Sequence, residues 1–355
     1  MKKKIIIIGS SPYLLIEALY NTKKGYFVEI IEEKPHLGGN WYLHNYGSYI
    51  SEGACHILSP PDNKVYDFLK ENLGIKMEVQ TPQPKKYLYK KSIKILTPYN
   101  DKLLISVLKL FKKIVFQPKI NNQKSAHKFF EKPNKFQYPA GGSVELISKL
   151  NTLLKKNKVK IMFNKKVTTI NLIEKKILCQ NGNRTESHSF DKVICGFGLT
   201  ANEIIDSFNN KITLKFLKKR ARHILIETKN IKKVDFSYLR IKGSSIFFRI
   251  SNVTKFHKPL RDDVNLYLLS CNWNYSGDVG TARIEKLLKS LNLLNDEKDK
   301  IKVTHISHQW NSLLEKEKLI KLNNEQFTLV YKPKEMDLNL VEAISQNIER
   351  WKKII

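Results

Sequence analysis

The sequence predicts an α/β chain built around a parallel sheet. Three observations carry that prediction: an isoleucine run that ends at a glycine near the amino terminus, a helix-periodic segment directly behind it, and a second short apolar run that closes the unit.

Residues 3–8 finish in four isoleucines and stop at Gly9, which suits a strand buried on both faces of a parallel sheet. The same opening, MKKKIIII, superficially resembles a secretory leader. Its apolar run is short and no cleavage-type small residues follow, so it reads as a retained strand. Pro12 fits the first turn of a helix, where its missing N–H costs nothing, and Leu14, Leu15, Ile16, Ala18 and Leu19 supply an apolar face. Gly25 closes that helix and Phe27–Ile31 forms the second strand. Strand, turn, helix and strand within about 30 residues make a βαβ unit.

The turn from Gly9 to Leu14 (GSSPYL) stands where dinucleotide-binding units carry G-x-G-x-x-G. The first glycine makes the turn, the second admits the pyrophosphate, and the third lets helix and strand approach. Only Gly9 survives here. Ser11 is small enough to admit a phosphate and can donate to it, whereas Leu14 forces the helix outward or needs a compensating small residue elsewhere. Glu32 ends the second strand 23 residues after Gly9, where a carboxylate accepts hydrogen bonds from both ribose hydroxyls. The helix amino terminus offers N–H groups to the pyrophosphate. Together these predict a Rossmann-type site for an adenine dinucleotide. The plainer alternative is an α/β crossover that binds nothing.

Further along, a glycine-containing stretch (37–53) precedes a helix at Asn63–Asn72. Tyr87–Leu96 reads as a hairpin, Leu103–Lys113 as a basic helix and Gln117–Lys135 as loop. A second α/β pattern has a helix at Val144–Lys156 and strands at Lys160–Ile170, Lys176–Cys179 and Lys192–Gly196. A helix at Thr281–Leu291 follows a capping turn at Gly277-Asp278, and an amphipathic helix at Leu338–Trp351 ends the pattern. The elements interleave, which predicts a second domain inserted into the first.

The net charge is +30, and only eight of the 63 basic residues are arginine. A lysine-biased proteome explains such a skew, and attraction to polyanions is the functional alternative. No helix-turn-helix, zinc-finger or RNP-like motif accompanies the charge, so nucleic acid is the weaker candidate. Lys85, Lys86, Lys90, Lys91 and Lys94, with Lys109, Lys112 and Lys113, could form a patch for an anionic substrate or an anionic membrane surface, though a solvated surface is the commoner explanation. No apolar run reaches the roughly 20 residues that span a bilayer. Cys55, Cys179, Cys195 and Cys271 are dispersed, which argues against a disulfide framework and predicts a cytoplasmic protein.

Some candidate chemistry can be set aside. Cys55 and His56, adjacent on an extended segment, point to opposite faces. His305, His308 and Trp310 lack metal-ligand spacing, so no metal is expected. Arg249 sits in an apolar strand (FFRIS), where a guanidinium suits a diphosphate or carboxylate, or snorkels to water from an edge.

Residues 32–40 (EEKPHLGGN) resemble the strand end and diglycine loop of the FAD-dependent amine-oxidase and protoporphyrinogen-oxidase superfamily, and diglycine followed by Asn is closest to the UDP-galactopyranose mutases. Tyr46-Gly47 with His56-Ile57, the FQYPAGG segment at 136–142, Asn164–Val167 and Tyr331–Ile344 are similar to further segments of that family. The resemblance implies a glutathione-reductase-type FAD/NAD(P)-binding domain with an interleaved α+β substrate domain. Its divisions are a dinucleotide unit with the diglycine loop (1–75), a shortened substrate subdomain (76–135), a second FAD-contacting segment (136–210), a β-rich substrate domain (211–325) and a returning strand and helix (326–355).

By the same resemblance, Gly9, Ser10, Ser11, Glu32, Glu33, Gly38, Gly39, Asn40, Trp41 and Val167 hold FAD. Met336 and Asp337 set a helix amino terminus against the flavin, and His56 and Arg249 flank the reacting centre. The implied activity is oxidoreduction or mutase-type isomerisation of a nucleotide sugar or similar anionic metabolite, with NAD(P)H as an external reductant. The chain departs from the family at Gln326–Val330, where a Gly-Arg or Gly-Asp pair is expected, and in its shortened helical region. Those departures suit the alternative of a non-catalytic binding or partner protein.

Overall fold

A computed structural model of the chain describes residues 2–45, 50–52, 62–80, 85–88, 96–97, 136–196, 199, 201–229, 238–242, 244, 246–255, 264–272, 277, 279–291, 293–294, 301–313, 316–322, 324–330 and 340–352. The isoleucine run forms β1 (Lys4–Ile8), Pro12 opens α1 (Pro12–Lys23), and β2 (Phe27–Ile31) returns parallel to β1. The predicted βαβ unit is therefore present. Three later strands complete a five-stranded parallel sheet: Lys192–Cys195 beside β1, Phe327–Leu329 outside it, and Lys160–Met162 beside β2.

Alternation along β1 divides the core. Ile5 and Ile7 face a cluster built from α1, α2 (Asn63–Glu71), α3 (Gly142–Lys156) and the last helix, Leu340–Trp351. Ile6 and Ile8 face the opposite cluster, which includes Val167, Ile170 and Ile204 from a second five-stranded sheet. A strand buried on both faces has no need of the polar alternation that a half-exposed strand shows.

The predicted strand over Lys160–Ile170 is two strands in two sheets. Lys160–Met162 joins the parallel sheet, while Lys166–Asn171 pairs with Lys176–Asn181 in the second sheet. The break falls at Asn164, whose φ of +59° is a left-handed conformation that asparagine tolerates better than most residues.

A third sheet of seven strands runs in the order Ile301–Leu313, Phe216–Thr228, Asn265–Cys271, Phe247–Asn252, Tyr238–Lys242, Lys85–Leu88 and Leu96–Thr97. One face packs on α4 (Thr281–Ser290). The predicted hairpin is thus recruited to this sheet, with Lys85–Leu88 parallel to Tyr238–Lys242. Gly280 stands at the N-cap of α4, and the Gly277 carbonyl accepts from Arg222 Nη1 at 2.8 Å. Asp278, the expected helix at 103–113 and the loop at 117–135 lie outside the described residues.

Candidate functional site at the first turn

The β1–α1 turn is shaped by Gly9, whose φ of +92° favours a residue without a β-carbon. Its N–H donates to the Ile31 carbonyl at 2.8 Å, locking the turn to the end of β2. Leu14, in the place of the third glycine, does not project outward. A β-carbon built on Gly9 would lie 3.4 Å from Leu14 Cδ1, so the leucine occupies the space over the bare glycine and the helix keeps its close approach. The compensating small residue is Gly9 itself.

Around this turn the polar groups converge. The buried Ser10 hydroxyl donates to Glu32 Oε2 at 2.5 Å and accepts from Gly38 N at 3.1 Å. Gly38 N also lies 3.0 Å from the Ser10 carbonyl. Glu32 Oε1 accepts from Lys34 N at 2.8 Å. Burial pushes the Glu32 carboxyl above the usual glutamate range, and the Ser10 and Lys34 hydrogen bonds only partly offset it. Each carboxylate oxygen retains acceptor capacity, because two lone pairs serve one bond.

The diglycine loop packs directly on this turn. Gly38 and Gly39 both have positive φ, and a β-carbon on Gly39 would sit 3.6 Å from Ser11 N and Cα. Gly38 is hemmed in by Ile147 of α3 and by Tyr42 N. Ser11 caps α1 through its carbonyl, which accepts from Leu14 N and Leu15 N, while its side chain makes no capping bond. The Ser11 hydroxyl is buried beside the Tyr13 hydroxyl. Burial pushes the adjacent Tyr13 hydroxyl up to about 12, an effect that Ser11 only partly offsets.

The segment leading to Val167 is stapled to the end of β2. Glu32 N donates to the Met162 carbonyl at 2.9 Å and Lys165 N to the Glu32 carbonyl at 3.0 Å. Val167 is buried in the second cluster. Trp41 is buried in the helix-side cluster and Glu33 is half-buried at the strand end. Ser10, Ser11, Glu32, Gly38 and Gly39 are therefore gathered around Gly9, with Val167 reached through Lys165. The Asn40 side chain, His56, Met336 and Asp337 lie outside what the structure describes.

Arg249 stands apart, on the seven-stranded sheet. Its register partner is Ser270, and Ser270 is in turn opposite His223. Directly opposed residues share a face, so the three form a polar row. Ser270 Oγ and His223 Nδ1 are 3.0 Å apart and both residues are buried. Arg249 Nε and, two residues on, Ser251 Oγ are buried without partners. Ser251, Ser270 and His223 escape sequence reading because they sit among apolar residues with no motif. The period-two spacing of Arg249 and Ser251 is their only local signal.

With this geometry in hand, relatives can be placed. Residues 7–72 match the NAD(P)-binding Rossmann-like domain. That match covers the Gly9 turn, Glu32, the diglycine loop and α2. Over the full chain, the structure of a reduced UDP-galactopyranose mutase superposes with a TM-score of 0.67 at 14% identity, covering 100% of this chain and 94% of the mutase. The PF1083 protein from Pyrococcus furiosus gives 0.61 at 17% identity, covering 98% and 97%. Putrescine oxidase bound to putrescine gives 0.60 at 12%, covering 100% and 99%. No curated protein matches the sequence. The likeness at these identities is one of fold: a Rossmann-like domain with parallel sheet and interleaved β-rich part, shared with oxidoreductases and a mutase. Among the described residues no helix is long and apolar enough to cross a membrane.

Proposed function

We propose that the chain is an FAD-dependent enzyme acting on a small anionic metabolite, of which a nucleotide sugar is the leading candidate. The observation that carries this reading is the Ser10–Glu32 pair behind the Gly9 turn. A buried carboxylate held by a serine, beside a helix amino terminus with the small Ser11 at its start, fits the ribose and diphosphate of a dinucleotide. Gly9, Ser10, Ser11, Glu32, Glu33, Gly38, Gly39, Asn40, Trp41 and Val167 would hold it, with Met336 and Asp337 at the flavin end.

Bound there, FAD would accept hydride or, when reduced, act as a nucleophile toward a sugar. The chain's own groups would position the substrate. Arg249 would supply a guanidinium for a diphosphate or carboxylate and Ser251 a hydroxyl beside it, with His56 as the further polar group that the family resemblance implies. The fold likeness to the mutase favours the nucleotide sugar, with NAD(P)H as the reductant of the flavin, and the likeness to putrescine oxidase favours plain oxidation, with an external electron acceptor to reoxidise the reduced flavin.

The test is the visible flavin spectrum of purified protein before and after incubation with FAD, followed by assay of the reduced protein with UDP-galactopyranose. Bound flavin and turnover support the mutase-like reading, and bound flavin without turnover leaves an oxidoreductase. Colourless protein that ignores added FAD sinks both and leaves a non-catalytic binding protein.

A further inference from the structure

Away from the Gly9 turn, a cavity of about 560 Å3 opens between the hairpin of Glu203–Ile205 with Lys211–Thr213 and the short helix α5 (Lys316–Lys321). Lys211, Lys215, Lys318 and Lys321 line it, with Asp206, Phe208 and Leu322 among the others. Two nearby carboxylates are held locally, while Glu317 and Glu325 adjoin lining residues in sequence. Glu203 pairs with Lys211 at 2.6 Å. Asp206 accepts from Asn210 Nδ2, Asn210 N and Phe208 N, and these bonds hold its carboxyl below the usual range. Among the lining residues four lysines stand with one carboxylate, Asp206.

Phe208, at the hairpin tip, is 84% exposed, and Ile320 on the neighbouring helix is 38% exposed. Folding does not require a phenylalanine there. The turn is held by Asp206 and by backbone bonds from Asp206 N to the Asn210 carbonyl and from Asn209 N to the Asp206 carbonyl, none of which uses the ring. An aromatic ring presented to water above a lysine-lined hollow matches the chemistry of an anionic bilayer surface. Ammonium groups meet headgroup phosphates while the ring enters the interfacial layer.

We propose that this face docks on anionic lipid, with Phe208 inserted at headgroup depth and the cavity seating one anionic headgroup. The net charge of +30 provides long-range attraction, and the hairpin tip gives the contact its short-range specificity. A free phosphate compound entering the hollow would not need Phe208, and a single-stranded nucleic acid stacking a base on the ring would bind without lipid.

Co-sedimentation of the full chain with phosphatidylcholine vesicles, with and without phosphatidylserine, tests this. Binding is expected only with phosphatidylserine. It should fall roughly tenfold in Phe208→Ala and roughly fivefold per residue when Lys215, Lys318 and Lys321 are changed to Glu. A control triple, Lys149→Glu, Lys155→Glu and Lys156→Glu on the exposed side of α3, makes the same charge change elsewhere and should lose far less. Failure to sediment with either vesicle overturns the proposal. So does wild-type binding by Phe208→Ala, or equal loss in the two lysine triples, which would leave only diffuse charge attraction of the kind that also gathers nucleic acid.

Discussion

Arg350, on the last helix, closes a two-pronged ion pair on Glu17 of α1, 333 residues earlier. Glu17 is 1% exposed, and its other contacts complete a network: Trp351 Nε1 donates to it at 2.7 Å and Asn21 Nδ2 at 2.8 Å. Asn347 accepts from Arg350 and donates to the Val330 carbonyl, tying this network to the end of the Phe327–Leu329 strand. The helix that follows the Gly9 turn is thereby clamped by the end of the described chain.

Removing one partner of such a pair strands a buried charge. Arg350→Ala should lower stability by about 2 to 3 kcal/mol, below the top of the range for buried pairs because water partly screens a guanidinium 37% exposed. Glu17→Gln with Arg350→Met should recover part of that loss. Urea denaturation of the single and double variants measures both.

Two glutamates at the β2 edge should respond to pH in opposite directions. Burial opposes ionisation of Glu29, yet Lys4 and Lys160 on either side overcome it and hold its carboxyl below the usual value near 4.5. Its stabilisation is present above that value and lost as pH falls through the lowered one. Glu29→Gln should therefore destabilise at pH 7, by an amount that shrinks as pH falls below that ordinary value.

Glu32 has the reverse sign, because burial raises its carboxyl. Its favourable contribution is full below the ordinary value and disappears as pH rises through the raised one, so ionised Glu32 costs stability at neutral pH. Glu32→Gln should melt slightly higher than wild type at pH 7 and equally at about pH 3.5. A gain in stability with a loss of ligand binding is the signature of a group kept for function. Thermal melts across this range decide both cases.

Gly196 follows the Lys192–Cys195 strand, and a β-carbon there would lie 2.0 Å from the Tyr13 hydroxyl oxygen and 3.0 Å from its Cζ. Tyr13 is buried and cannot swing away cheaply. Gly196→Ala should cost about 3 kcal/mol. Tyr13→Phe in the same chain should return at least about 1 kcal/mol, since it removes the nearest clash and leaves the ring. Additive losses in the double variant would contradict this packing.

Arg249 should report on substrate rather than cofactor. Arg249→Lys keeps the charge but loses the two-pronged fork, so it should raise KM about tenfold or more for an anionic substrate while flavin content is unchanged. Loss of flavin together with activity would instead place Arg249 in the fold or the cofactor site.

The opening βαβ unit was legible because each residue type has one structural use there. Isoleucines that alternate between two cores, a proline at the helix start and a glycine at positive φ all agree. Glu32 was legible by spacing alone. What stayed hidden depended on contacts remote in sequence. The split of Lys160–Ile170 turns on one left-handed asparagine. Recruitment of the hairpin into the large sheet depends on strand 238–242, some 150 residues away. The row of Arg249, Ser270 and His223 exists only through register across three strands, which no local pattern encodes.

The most direct test is calorimetric titration of flavin-free protein with FAD and with FMN, which lacks the adenosine, for the wild type and for Glu32→Gln. The wild type is expected to bind FAD, Glu32→Gln to bind it roughly ten- to hundredfold more weakly, and the two proteins to bind FMN equally. FAD binding of equal strength in both proteins, or no binding by the wild type, would contradict the assignment of the Gly9–Glu32 crevice as a dinucleotide site.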